Sequence, residues 1–140
     1  MSNNDTLTVN ADVTVDTSAA EPVELEGHTF STSSTTITNN GTIIGTTKGI
    51  EADQSTDFSI DNSGTVSVTD NLNRPGSALS LQQSSGTVSI VNSGTLESER
   101  ADTIKLHPST GTVTINNSGS ITSSKAVSYT HLTLPTTTIV

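Results

Sequence analysis

Cysteine and tryptophan are absent from this chain of 140 residues, and it has only two Phe, one Tyr and one Met. Without cysteine there is no disulfide framework. With 2% aromatics, a compact core built around large rings is excluded. No apolar run approaches the roughly 18 residues of a helical membrane span. Positive charge is scarce too: five Lys and Arg stand against fourteen Asp and Glu, for a net charge of −9. A surface of that sign repels phosphate backbones, which excludes nucleic acid as a partner. Hydroxyl is abundant instead, since Ser and Thr make up 49 of 140 residues, about 35%. Composition alone would describe a disordered linker. The placement of the few apolar residues decides otherwise.

One heptad occurs four times: Ile37-Thr38-Asn39-Asn40-Gly41-Thr42-Ile43, Ile60-Asp61-Asn62-Ser63-Gly64-Thr65-Val66, Ile90-Val91-Asn92-Ser93-Gly94-Thr95-Leu96 and Ile115-Asn116-Asn117-Ser118-Gly119-Ser120-Ile121. Its glycines, Gly41, Gly64, Gly94 and Gly119, span 78 residues in three intervals, a mean of 26. A shorter element follows three of the copies: Gly49-Ile50-Glu51-Ala52, Ala78-Leu79-Ser80-Leu81 and Thr103-Ile104-Lys105-Leu106. A linker needs no such register; a repeat architecture does.

Within each unit, apolar residues alternate with Ser or Thr, as in Val88-Ser89-Ile90 and Val113-Thr114-Ile115, which is the period of a half-buried strand. β-Branched residues dominate and disfavour helix. The Asn-Ser-Gly step breaks the strand, with Gly expected to supply a positive φ at the corner. So small a unit buries nothing alone. Coiled so that equivalent strands stack about 4.8 Å apart, successive units share a thin apolar interior. Ile37, Ile60, Ile90 and Ile115 then form one interior stack, and Ile43, Val66, Leu96 and Ile121 another. Ile50, Leu79 and Ile104 line a third wall. Leucine-rich repeats, propeller blades and Ca²⁺-binding nonapeptide rolls each require patterns that are missing. The expected fold is all-β: a right-handed parallel β-helix of four to five coils of about 26 residues. Residues 1–34 read as a degenerate N-terminal coil or cap, and residues 35–125 as the β-helix repeats.

The I-x-N-S-G-T-[IV] heptad with its following [AT]-[IL]-x-[LA] element is similar to the repeats of autotransporter passenger domains and related bacterial surface β-helices. The likeness covers about residues 35–125. It implies a segment that is secreted to the bacterial cell surface and, in the full-length form, joined to a C-terminal outer-membrane translocator domain. Such passengers host adhesins, toxins and enzymes alike, so the likeness speaks to architecture more than to activity. Met1-Ser2-Asn3-Asn4-Asp5 lacks the basic and apolar regions of a signal peptide, and no run of barrel strands follows the repeats. An internal piece of a longer protein is therefore expected. From residue 126 onward, Ala126-Val127-Ser128-Tyr129-Thr130-His131-Leu132-Thr133-Leu134-Pro135-Thr136 breaks the repeat and resembles a translated sequencing-adapter end. Residues 126–140 are expected to be a non-native tail.

Candidate chemistry is sparse. Asn39, Asn62, Asn92 and Asn117 should stack at one corner, where their amides can both donate and accept; the expectation is a structural ladder. His28, His107 and His131 lie far apart in the repeat register and have no zinc-ligand spacing. Only Asp61 is charged at the second heptad position, so no carboxylate pair emerges there for acid–base work. The richest polar cluster is in the loops after the second strands, where Asp70, Arg74, Glu97, Glu99 and Arg100 should approach one another as a contact surface for a glycan or a host surface protein. Asp70, Glu97 and Glu99 could hold Ca²⁺, although no ligand loop is recognisable; no cofactor is expected. The resulting expectation is a non-catalytic structural or adhesive stalk segment of a secreted bacterial surface protein. The alternative is a fragment of a carbohydrate-active β-helix enzyme.

Overall fold

The computed structural model describes residues 4–16, 23–26, 34–53, 57–69, 76–82, 86–106 and 111–124. Among these residues every regular element is a strand, and the strands fall into five successive coils. The first coil contains β1 (Asn4–Val9), β2 (Thr14–Asp16) and β3 (Val23–Glu26), and the second β4 (Ser34–Asn39), β5 (Thr42–Gly45) and β6 (Lys48–Asp53). β7 (Asp57–Asn62), β8 (Thr65–Val68) and β9 (Ser77–Gln82) make the third. β10 (Thr87–Asn92), β11 (Thr95–Ser98) and β12 (Ile104–Leu106) make the fourth, and β13 (Thr112–Asn117) and β14 (Ser120–Ser123) belong to the fifth.

Equivalent strands pair in parallel, giving a five-stranded sheet β1-β4-β7-β10-β13, a second β2-β5-β8-β11-β14 and a four-stranded third β3-β6-β9-β12. This is a parallel β-helix. Its registers follow the repeat. Leu7, Ile37, Ile60, Ile90 and Ile115 are consecutive partners in the first sheet. Val15, Ile43, Val66, Leu96 and Ile121 are partners in the second, and Val23, Ile50, Leu79 and Ile104 in the third. β1, β2 and β3 thus make a first coil, paired with the next along all three sheets.

The alternation expected of half-buried strands is present in β7, β8 and β10, where every second residue is buried. Ile37, Ile43, Ile50, Ile60, Val66, Leu79 and Leu96 are all at 0% exposure. Each aliphatic is covered by its own row above and below, and at about 1.5–3 kcal/mol per buried side chain a coil needs its neighbours to complete the burial. Coil ends show the converse: Leu7, Val15, Ile115 and Ile121 are only partly buried. The third sheet departs from simple alternation, because residues 76–81 are buried without interruption. There Glu51 is 8% exposed and its carboxylate accepts from the ammonium of Lys48. A nearly buried carboxylate requires such a partner.

The reason for the heptad glycines differs from the expected one. None of Gly41, Gly64, Gly94 and Gly119 has a left-handed φ. A Cβ on Gly64 would instead fall on the carbonyl oxygen of Gly41, one on Gly94 on that of Gly64, and one on Gly119 on that of Gly94. The same oxygens accept from the amides of Thr65, Thr95 and Ser120 at 2.8 Å each, so the corner backbones cannot separate without losing those bonds. Stacking distance, not turn handedness, demands glycine here.

Two substitutions separate these terms. Gly94→Ala must push one corner away from the next and is expected to cost on the order of 2–3 kcal/mol. Ile60→Ala leaves a cavity between two rows and should cost about 2–5 kcal/mol. Urea unfolding followed by circular dichroism measures both; an unchanged midpoint for Gly94→Ala would refute the steric account of the corner.

Candidate functional site

At the corner between the first and second sheets β4, β7, β10 and β13 each end in Asn, and the register sets Asn39, Asn62, Asn92 and Asn117 in one row. Asn39, Asn62 and Asn92 are at 0% exposure. The Nδ2 of Asn39 donates to Oδ1 of Asn62, that of Asn62 to Asn92, and that of Asn92 to Asn117, each at 2.7 Å. Further donation goes to corner carbonyls: Asn39 to Thr65 at 3.2 Å, Asn62 to Thr95 at 3.3 Å, and Asn92 to Ser120 at 3.1 Å. Asn117 donates to the carbonyl of Gly119 at 3.2 Å. The backbone carbonyl of each buried Asn in turn accepts two amides of the following corner, for example Ser63 and Gly64 on Asn39 at 2.9 and 3.0 Å. One residue type thereby satisfies an otherwise unpaired buried turn.

The row has a direction and a beginning. Every Asn–Asn bond runs from one coil to the next toward the C-terminus. At the first coil the position belongs to Val9, which is 3% exposed and pairs with Asn39. With no amide beneath it, Oδ1 of Asn39 accepts from the backbone N–H of Gly41 at 3.2 Å. Sequence reasoning did not assign Val9 to this row. Aligning the alternation Leu7-Thr8-Val9 on Ile37-Thr38-Asn39 would have done so.

A second set of polar contacts, also missed, ties the second sheet to the third. The Ser98 hydroxyl donates to the carbonyl of Gly76 at 2.6 Å, and Ser123 donates to Ala101 at 2.7 Å. Both serines occupy the fourth position after a heptad glycine, where alternation points inward. A hydroxyl at an inward position was the available signal.

The five residues expected to form a contact surface are only partly described. Asp70 and Arg74 lie outside the described residues, as do His28, His107, His131 and the segment from residue 126. Glu97, Glu99 and Arg100 are exposed at the end of the second sheet. Glu97 and Glu99 line an open groove of about 370 Å³, with Ser67 and Thr69 from the coil before and Thr122 and Ser124 from the coil after. In the second sheet Glu97 pairs with Ser67 on one side and Thr122 on the other. Two carboxylates two residues apart, bordered by four hydroxyls, form a hydrogen-bonding surface suited to a polyhydroxylated ligand. Among the described residues there is no group of three or more His, Cys, Asp and Glu placed to hold a metal ion. Asp61 is exposed on the outer face of the first sheet between Thr38 and Val91, away from this groove.

Breaking the amide row in its middle should be costly. Asn62→Val leaves one N–H of the Asn39 side-chain amide without an acceptor and Oδ1 of Asn92 without its donor, and at about 1–3 kcal/mol per stranded buried group the loss should be at least about 2 kcal/mol in urea titration. Asn62→Asp tests the chemistry through pH. A buried carboxylate can accept from Asn39 but can donate to Asn92 only when protonated, so its folded-state pKa is raised. Stability of this variant relative to the parent should be highest at acidic pH. It should fall as pH rises from the ordinary Asp range through the raised value; a flat difference profile would refute the donor role. Comparison of the chain with protein-family models, curated proteins and solved structures returns no match.

Proposed function

We propose that this chain is a non-catalytic structural or adhesive stalk segment of a secreted bacterial cell-surface protein of autotransporter-passenger type. The observation that carries the reading is the outer surface of the stacked coils. In the first sheet Thr6, Thr36, Ser59, Ser89 and Thr114 form one outward row. In the second, Thr14, Thr42, Thr65, Thr95 and Ser120 form another. Rows of neutral hydroxyls on a rod assembled coil by coil provide reach and hydration, and each added coil lengthens the rod by about 4.8 Å. Adhesive contact falls to the groove bearing Glu97 and Glu99 with Arg100 beside it, facing a glycan or a host surface protein. In its full-length setting a C-terminal translocator would deliver the segment through the outer membrane.

The groove also gives the alternative, part of a carbohydrate-active β-helix enzyme, its one supporting feature: two carboxylates on the same wall.

The two readings separate in one set of measurements. Placed between a secretion signal and an outer-membrane barrel, the chain is expected to be labelled by antibody on intact bacteria and to bind immobilised glycans or host surface proteins. A Glu97→Gln/Glu99→Gln variant should bind at least about tenfold more weakly with an unchanged β circular dichroism spectrum. Intracellular retention would refute the surface assignment. Reducing-sugar release from a polysaccharide panel, lost in the same variant, would establish the enzyme instead.

A further inference from the structure

The two ends of the solenoid are chemically different. At the N-terminal end the first sheet presents β1, with Leu7 and Val9 at the register positions of the inward Ile and Asn rows. Val9 ends the amide row with an apolar side chain, which can neither donate to nor accept from an amide. At the C-terminal end β13 presents Val113, Ile115 and Asn117, and β14 presents Ile121. Val113, Ile115 and Ile121 are partly buried against the core, whereas their equivalents Val88, Ile90 and Leu96 in the preceding coil are at 1% exposure or less. Among the described residues, no strand pairs with the far side of β13 or β14.

The amide row adds selectivity to this edge. Asn39, Asn62 and Asn92 each give the next coil a 2.7 Å donor, and Asn117 occupies the same position with the same orientation toward its own Gly119 carbonyl that Asn62 and Asn92 show toward Gly64 and Gly94. We infer that the β13–β14 edge is a docking surface for one further coil of the same chemistry. Its first strand would read apolar-x-Ile-x-Asn, and its second would begin Gly-[Thr/Ser]-[Ile/Val/Leu]. The interface is the continuation of one already made four times within the fold. Its specificity lies in Asn117, which selects a coil carrying Asn in register. The first coil of a second copy does not qualify, because it would set Val9 against Asn117 and strand the amide. The edge therefore accepts a heptad-bearing coil and rejects head-to-tail stacking of whole copies.

The test uses the full chain and synthetic peptides, held at concentrations where light scattering shows the peptides monomeric. A peptide of residues 87–98 carries β10, its corner and β11. It should slow hydrogen exchange at the outward amides of β13 and β14 by at least about tenfold. The same peptide with Asn92→Val should bind about tenfold more weakly, the equivalent of one lost buried hydrogen bond. A peptide of residues 4–16 should give no protection. Asn117→Val in the protein should weaken the native peptide by a similar factor and leave the Asn92→Val peptide unaffected, which isolates the pair as a double-mutant cycle. Asn117→Val also removes the acceptor of one Asn92 N–H, so its circular dichroism spectrum must match that of the parent before binding is compared; Asn117→Asp, which keeps an acceptor for Asn92 but loses the donor toward the next coil, should weaken the native peptide in the same way. Absence of protection at β13 and β14, protection at β1 instead, or equal binding of the Asn and Val peptides would each overturn the inference.

Discussion

Corner-to-corner contact is the constraint on which the rest of this fold depends. Parallel strands in adjacent coils lie about 4.8 Å apart, and the turns joining them must stack at the same spacing. At that distance a corner has no room for a Cβ against the carbonyl beneath it, which accounts for Gly64, Gly94 and Gly119. On its inner side, where Asn39, Asn62 and Asn92 are at 0% exposure, its polar groups also have no access to water. Only a side chain that donates and accepts at once can be repeated indefinitely along such a stack, and among short side chains the carboxamide does this with planar geometry. Ser or Thr would reach fewer partners, and Asp would place like charges in contact. The heptad Asn is the solution that spacing leaves, and the uniform donor direction follows because each amide oxygen can meet only the amide nitrogen of one neighbour.

The same spacing explains how a chain with 29% hydrophobic residues supports an interior. A globular core shields an aliphatic with many unlike neighbours. Here one Ile is shielded largely by the two side chains of its own row and by the facing walls. Burial is then a property of neighbouring coils, and stability approximates a sum of interface terms. The gradient from Ile60 at 0% exposure to the partly buried Leu7 and Ile115 is what such a sum produces at its ends. Ser98 and Ser123 show that the interior is not uniformly apolar. Their hydroxyls close the wall between the second and third sheets where Val68 fills the same register position in the coil before.

Much of this was legible because identical chemistry recurs at each equivalent site. The Ile, Asn and Gly of the heptad announce three rows, and pairing Ile50, Leu79 and Ile104 required only the short element that follows. Legibility failed where one member of a row changes type. Val9 replaces Asn and hides its membership. It failed again where two causes predict one residue, since glycine suits both a left-handed corner and a crowded one and the heptad does not distinguish them. Burial of Glu51 beside Lys48 was not readable either, because nothing in a Gly-Ile-Glu-Ala step says which of its faces is covered. For the groove, Glu97 and Glu99 were singled out from their loop, but their hydroxyl surroundings come from Ser67 and Thr122, fixed only by the register of three coils.

Charge placement shows why the outer surface is hydroxyl. In a stacked register each side chain faces its own counterpart above and below, so a carboxylate repeated at one position would line up like charges along the rod. In the first two sheets this never happens among the described residues: Asp57 pairs with Ser34 and accepts from the backbone N–H of Thr87, Asp61 lies between Thr38 and Val91, and Glu97 between Ser67 and Thr122. In the third sheet the nearly buried carboxylate of Glu51 is met by the ammonium of Lys48. A rod that must carry net charge −9 therefore isolates the described carboxylates of its first two sheets among neutral rows. The outer rows are then free of direction, and polarity along the stack is left to the amides: their donors run one way from Asn39 to Asn117, with Val9 before the first of them. That asymmetry, apolar at one end of the row and amide-bearing at the other, gives the coil stack a single direction in which further Asn-bearing coils are favoured.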